Sequence, residues 1–305
     1  TIWAKHLTAS YSADNKTYNG NTLASVTGSS ADIIDGDTVS LSHSSATFAN
    51  KDVGTSKTVT VNGIALGGAD AGNYSLQNTS ATSTANISAK SLTVSYTASH
   101  KVYDGLTHAS VSGSSSDIVS GDNLGFTQTA HFEDKNAANG KGVSITQIGL
   151  SGADAGNYAL AFTTASASAN ITPKDVSLSS ITAAHKVYDG NNSASITAGA
   201  ISTGVSGETL AISGPGIFSD ANAANGKTVT VANVSALNKA NGSGDWSNYN
   251  LTTTGSLTTT ANITRKDVTL SSITAADKAY DGNNTATITS GNIATGVGTQ
   301  TLSIG

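Results

Sequence analysis

Lysine, tyrosine and aspartate recur together as Lys101-Val102-Tyr103-Asp104-Gly105, Lys186-Val187-Tyr188-Asp189-Gly190 and Lys278-Ala279-Tyr280-Asp281-Gly282, with a variant at Lys16-Thr17-Tyr18-Asn19-Gly20. A lysine that meets an asparagine beside a carboxylate can condense to an isopeptide bond. Lys16, Lys101 and Lys186 are candidates for such a link with Asn86, Asn170 and Asn262. The preference of an ammonium for water weighs against it. Acidic turns at Asp35-Gly36-Asp37, Gly121-Asp122-Asn123 and Asp189-Gly190-Asn191 offer the oxygens that calcium takes, which makes interdomain calcium a candidate cofactor. The same residues can close Asx turns that need no ion. The six histidines show no metal-ligand spacing. Gly226-Lys227-Thr228 resembles the end of a phosphate loop, but the first glycine of that motif would fall on Ala221. No residue is assigned a catalytic role, and the chain is expected not to be an enzyme.

Two further anchors accompany the tyrosine motif. Asp70-Ala71-Gly72-Asn73-Tyr74, Asp154-Ala155-Gly156-Asn157-Tyr158 and Asp245-Trp246-Ser247-Asn248-Tyr249 form the second; Ala85-Asn86-Ile87, Ala169-Asn170-Ile171 and Ala261-Asn262-Ile263 form the third. The first-motif tyrosines lie 103−18 = 85, 188−103 = 85 and 280−188 = 92 residues apart, which is domain-sized rather than solenoid-sized. This spacing sets the boundaries: residues 1–4 close a preceding repeat, 5–89, 90–173 and 174–265 are three repeats, and 266–305 open a fourth. The third repeat carries an insertion at Asn238–Gly244, directly before Trp246. That tryptophan, beside an inserted loop, is the best single candidate for a ligand contact.

The elements that hold these motifs read as strands. Apolar residues alternate in short runs bounded by Gly, Asn, Asp and Ser, as at Val59, Val61, Ile64 and Leu66. The three-residue step from Val61 to Ile64 recurs at Ile145 to Ile148 and Val231 to Val234, and it calls for a β-bulge to keep one face inward. Asn139-Gly140 and Asn225-Gly226 predict hairpin turns. About seven short strands fit each repeat, so the predicted fold is all-β: a tandem array of small antiparallel, immunoglobulin-like sandwiches, with β-grasp-like units as the structural rival. In that frame Tyr74, Tyr158 and Tyr249 occupy the place of a corner tyrosine whose hydroxyl bonds to nearby upstream backbone, two residues before Leu76, Leu160 and Leu251.

Composition narrows the function classes. Only 11% of residues are charged, arginine occurs once, and a net charge of −5 is spread without clusters, so neither nucleic acid nor an anionic membrane surface is an expected partner. No run approaches the apolar length of a membrane span, and no membrane insertion is expected in this segment. Without cysteine, small cores cannot be reinforced by disulfides.

The Lys-Val-Tyr-Asp-Gly and Asp-Ala-Gly-Asn-Tyr-x-Leu runs, with Ala-Asn-Ile-Thr-Pro-Lys at 169–174, resemble the YDG-type repeats of very large bacterial surface proteins, including filamentous-haemagglutinin-like adhesins exported by two-partner secretion. The resemblance implies an extracellular fibre on the bacterial cell surface, with roles in adhesion or biofilm cohesion. It implies neighbouring repeats of the same chain as partners, together with a receptor, glycan or matrix component. Two readings are open: a stalk that spaces a distal domain from the cell, or a module that itself contacts the receptor.

Overall fold

A computed structural model describes residues 1–304, and all side chains within its strands except those of Ala200 and Ser271. The described residues form β-strands and short 3₁₀ turns, with no α-helix. A β-grasp needs a helix across its sheet, so that rival is set aside. The chain divides into two compact units: Thr1–Ser99, Thr107–Glu133 and Gly140–Ala169 in one, and His100–Leu106, Asp134–Asn139 and Asn170–Gly305 in the other. The first unit holds repeat 1 and most of repeat 2; the second holds the far end of repeat 2, all of repeat 3 and the opening strands of the fourth.

Repeat 1 shows how the residues make the layers. Its main sheet has the order Lys16–Thr17, Ser80–Ser88, Gly54–Asn62, Ser45–Phe48. The alternation expected from the sequence turns Val59 and Val61 fully inward, while their neighbours Thr58 and Thr60 lie on the other face. Facing this sheet are short pairs, Ser10–Ala13 with Val26–Ser29 and Ser40–Ser42 with Ala65–Gly67. Leu7, Tyr11, Ala46, Val61, Ile64 and Tyr74 meet between the two layers, which makes the repeat a sandwich. Burial of each large side chain of this kind contributes about 1.5–3 kcal/mol.

Antiparallel ladders dominate, and two parallel pairs join the strands nearest the two ends of a repeat. Lys5–Leu7 runs beside Tyr74–Leu76, and Lys16–Thr17 beside Ile87 and Ser88. Repeat 2 repeats the first arrangement with Lys90–Leu92 on Tyr158–Leu160 and the second with Lys101–Val102 on Ile171 and Thr172. Repeat 3 does so with Lys174–Val176 on Tyr249–Leu251 and Lys186–Val187 on Ile263 and Thr264.

The three-residue apolar step is resolved differently in each repeat. A bulge shifts the register between Thr127 and Thr129 in repeat 2, where Gln147 has φ 54°. Repeat 1 breaks its strand at Gly63, and repeat 3 ends it at Val231 before a 3₁₀ turn over Val234–Ala236. The predicted Asn-Gly hairpins are not turns. Both dipeptides lie inside long strands, Ala138–Ser151 and Ala224–Val231. Gly226, at φ 64°, makes a bulge there, with register lost between Ala224 and Lys227 and its N–H donated to Asn262 Oδ1 at 2.8 Å. The left-handed residue that suits a hairpin suits a bulge equally well.

The insertion of repeat 3 is ordered as strand Asn238–Asn241, paired antiparallel with Leu210–Ser213. Trp246 fixes it from within: the ring is 9% exposed, and its N–H is shared between the carbonyls of Ala211 and Ala240 at 3.1 and 2.9 Å. The indole therefore fills the core under the insertion and does not present a surface for a ligand, which corrects the expectation of a contact residue.

Candidate functional site: the repeat junctions

The Lys-x-Tyr-Asp-Gly motif closes a turn on itself, and in repeats 1 and 2 its tyrosine is buried at the junction with the following repeat. In repeat 2, Asp104 Oδ1 accepts from the Lys101 ammonium at 2.8 Å and from the Leu106 N–H at 2.9 Å, while the ammonium donates onward to the Leu106 carbonyl. Asp189 with Lys186, and Asp281 with Lys278, repeat the ion pair at 2.7 and 2.8 Å. The variant Asn19 serves the Lys16 ammonium in the same way at 3.0 Å. These lysine heads are engaged within their own turns, and Asn86 Oδ1 accepts from Ser56 N–H instead, so the lysine–asparagine pairs are not assembled for condensation.

Glycine closes the turn because it must. Gly105 has φ 79°, and a Cβ there would lie 2.7 Å from Val205 Cγ1 of the next repeat. Gly20 meets Val119 in the same way at 2.6 Å.

Inside the first unit, repeats 1 and 2 meet at one carboxylate. Tyr18 from repeat 1 donates to Asp122 Oδ2 at 2.8 Å, and Tyr158 from repeat 2 donates to the same oxygen at 2.6 Å. Lys51 of repeat 1 reaches Asp122 Oδ1 at 2.9 Å and Asp154 Oδ1 at 3.1 Å, with its ammonium 5.7 Å from the Tyr18 ring centre. The Tyr158 hydroxyl also accepts from Val119 N–H at 2.9 Å. Asn157 completes the seam: its Oδ1 accepts from Val53 N–H of repeat 1 at 2.9 Å. Tyr18, Phe48, Val59 and Ile87 of repeat 1 pack with Leu92 and Tyr158 of repeat 2 in one buried cluster.

Inside the second unit, the end of repeat 2 meets repeat 3 by the same plan with glutamate in place of aspartate. Glu208 Oε1 accepts from Tyr103 and from Lys135, each at 2.6 Å, and Oε2 accepts from Tyr249 at 2.6 Å. Tyr103 and Tyr249 stand edge to face with centres 5.4 Å apart. Asn248 Oδ1 accepts from Ala137 N–H at 2.7 Å. A third meeting, also in the second unit, is neutral: Tyr188 is hydrogen bonded to the Gln300 amide, with Nε2 at 2.7 Å. Repeat 3 has Ala221 where its predecessors have Lys51 and Lys135.

The electrostatics reflect this geometry. Burial pushes the Asp122 carboxyl up, but the hydrogen bonds from Tyr158, Lys51 and Tyr18 outweigh it and hold the group below the ordinary aspartate value. Glu208 behaves alike: burial raises it, and Lys135, Tyr103 and Tyr249 bring it below the usual glutamate value. Burial and then the bond to Asp122 push Tyr158 up to about 12. The Tyr18 hydroxyl, then Asp122 and Asp154, hold Lys51 firmly protonated.

The corner tyrosines thus differ from the sequence expectation. Their partner is a carboxylate about 40 residues upstream in the chain, joined for Tyr74 and Tyr158 by the N–H of Ile34 or Val119, and not backbone a few residues away. Of the predicted positions, Tyr18, Tyr103, Tyr158, Tyr249 and Asp154 come together at the two charged seams, and Tyr188 lies at the neutral one. Asp70 and Asp154 brace their loops through Thr38 N–H and Asn123 N–H, each at 2.9 Å, and Asp245 caps its own turn through Ser247 N–H. Tyr280 is fully exposed.

Sequence reasoning missed Lys51, Lys135 and Glu208, read Asn157 and Asn248 only as members of the second anchor, and read Asp122 only as part of an acidic turn. Their signal was present in the offsets: the lysines trail their tyrosines by 51−18 = 33 and 135−103 = 32, and the acceptors by 122−103 = 19 and 208−188 = 20. His100 and His185 also hold matching places, each accepting through Nδ1 from the N–H of Asn170 or Asn262 at 2.8 Å. At Asp122 the place an interdomain cation would take is filled by the Lys51 ammonium. Among the described residues no group of three His, Cys, Asp or Glu is placed to hold a metal.

The chain is a tandem array of all-β repeats that meet at tyrosine-centred seams, two of them on a carboxylate and one on an amide. It belongs to the YDG domain family, which matches residues 4–83, 88–167 and 172–256. No curated protein matches the chain. Among solved structures it is similar to Drosophila N-cadherin EC1-4, at 10% identity and TM-score 0.28 over 84% of this chain and 73% of that one. It is also similar to titin domains I67-I69, at 10% identity and TM-score 0.24 over 84% and 96%.

Proposed function

We propose that the chain is a load-bearing stalk segment of a large extracellular bacterial surface protein, of the filamentous-haemagglutinin-like adhesin type, which spaces a distal domain from the cell and so serves adhesion or biofilm cohesion. The observation that carries this reading is the parallel pairing of terminal strands in each repeat. Lys16–Thr17 lies near the start of repeat 1 and Ile87 and Ser88 near its end, and the two run in the same direction. Tension applied at the two ends of a repeat drives such strands past each other, so their hydrogen bonds are loaded together in shear and do not open one at a time. Lys186–Val187 against Ile263 and Thr264 repeats the device in repeat 3. The motif residues are spent on turns and seams, which supports a mechanical role over a catalytic one.

Stretching single molecules of the full chain tests the reading. The expected record is a series of separate high-force steps, each releasing roughly 300 Å of contour for about 85 residues at ~3.6 Å each. Smooth extension at low force overturns the load-bearing role. On cells, removing residues 90–173 as a whole repeat should leave adhesion in place; loss of receptor binding with surface display intact replaces the stalk with a receptor-contacting module.

A further inference from the structure

We propose that the face of repeat 1 formed by Ile34, Asp37, Asn73 and Tyr74 is an acceptor for the trailing end of another YDG repeat, and that it selects ends carrying lysine at the place of Lys51 and Lys135. Repeat 1 already holds the acceptor half of the seam. Tyr74 donates to Asp37 Oδ2 at 2.6 Å and accepts from Ile34 N–H at 2.9 Å, the same triad that Tyr158, Asp122 and Val119 form inside the first unit. What differs is cover. Asn157 and Asn248 are 5% and 1% exposed under the preceding repeat, whereas Asn73 is exposed and Ile34 is 52% exposed. A cavity of ≈ 470 Å³ lies at this face, between Tyr74, Ile34, Asp37 and the Ile2–Trp3 segment.

The choice of partner rests on how charge is matched where seams are complete. Lys51 stands on Asp122 and Lys135 on Glu208, while Ala221 goes with neutral Gln300. Where the donor loses its cation the acceptor loses its anion, as the cost of burying an unpaired carboxylate requires. Asp37 is a carboxylate acceptor, so the end that completes it brings tyrosine, a glycine turn and lysine. Joined to the wrong end, the seam would hold a desolvated carboxylate with no cation.

The inference goes beyond the stalk reading and would survive a low-force stretching record. Its test lengthens the full chain, replacing residues 1–4 by a second copy of residues 5–89, which ends in the lysine type, or of 174–265, which ends in the alanine type. Amide exchange is followed at the added copy's Val53 or Ala223 position, which in a docked seam donates to Asn73 Oδ1, with Val61 as a folding control. The expected result is at least ten-fold slower exchange in the lysine-type chain than in the alanine-type chain, a difference that Asp37→Asn removes. Fast exchange in both chains, or equally slow exchange in both, overturns the proposal.

Discussion

Tyr18 and Tyr158 stand edge to face with ring centres 5.5 Å apart, and both hydroxyls point to a single oxygen of Asp122. One ring comes from each repeat, so the carboxylate reads both at once. A hydroxyl donated to a buried anion is a strong bond, and the departure of either ring removes one donor from the carboxylate both share.

Removing one hydroxyl isolates its share. Tyr158→Phe takes a donor from Asp122 and an acceptor from Val119 N–H, both part-buried. The expected loss is about 1–3 kcal/mol. Chemical denaturation of the full chain, followed on the transition of its first two repeats, measures it; an unmoved midpoint shows that the hydroxyl is idle.

The charge-matched seam predicts coupling. Lys135→Ala and Glu208→Gln should each destabilise, since Glu208 is only 7% exposed and sits under two tyrosines. The double variant recreates the neutral Ala221–Gln300 type and should recover part of the loss, with a coupling of about 0.5–3 kcal/mol. The lower end is expected, because Lys135 is 45% exposed and screened by solvent. Additive effects would contradict the pairing.

Glycine in the turn answers to two demands that can be separated. Gly105→Ala meets both a left-handed backbone and Val205 at 2.7 Å; Gly282→Ala meets only the backbone, at φ 77° with nothing within 4 Å. Gly282→Ala should cost about 1–2 kcal/mol locally. Gly105→Ala should cost more, and its excess should appear as loss of the seam between repeats 2 and 3. Equal effects at the two positions would show that close approach does not matter.

Acid and alkali should both open the seams, for opposite reasons. Asp122 and Glu208 have folded values below their unfolded ones, so their contribution is present above roughly pH 4 and is lost as pH falls through the folded values. Tyr158, raised to about 12, contributes fully below its unfolded value near 10 and loses that contribution as pH rises through the folded value. A stability profile of the full chain should therefore be flat between about pH 4 and 10 and fall on both sides; Asp122→Asn should lower the plateau and soften the acid limb.

How much of this was legible in the sequence depends on the distance over which each residue acts. The turn chemistry of Lys101, Asp104 and Gly105 closes within six residues, and the alternation at Val59 and Val61 declares an inward face, so motif and strand were readable. Asp122 and Lys51 lie 71 residues apart and in different repeats. Each looks like ordinary solvated surface until a fold brings them together. Trp246 misled for a related reason: a ring after an insertion reads as exposed, and only the pairing of Asn238–Asn241 with Leu210–Ser213 shows that it is roofed over. The parallel terminal strands were hidden as well, since alternation carries no strand direction.

The most direct test of the account is amide exchange at Val53 and Ala137 in the full chain. Each donates to an asparagine carbonyl of the next repeat, Asn157 at 2.9 Å and Asn248 at 2.7 Å, from a loop that has no strand partner of its own. If the repeats are docked through their tyrosine–carboxylate seams, both amides are protected well beyond neighbouring loop positions. Asp122→Ala then releases Val53 while Val61 in the core stays protected. Exchange of Val53 and Ala137 at open-loop rates in the unaltered chain would contradict the seam and leave the repeats as independent beads.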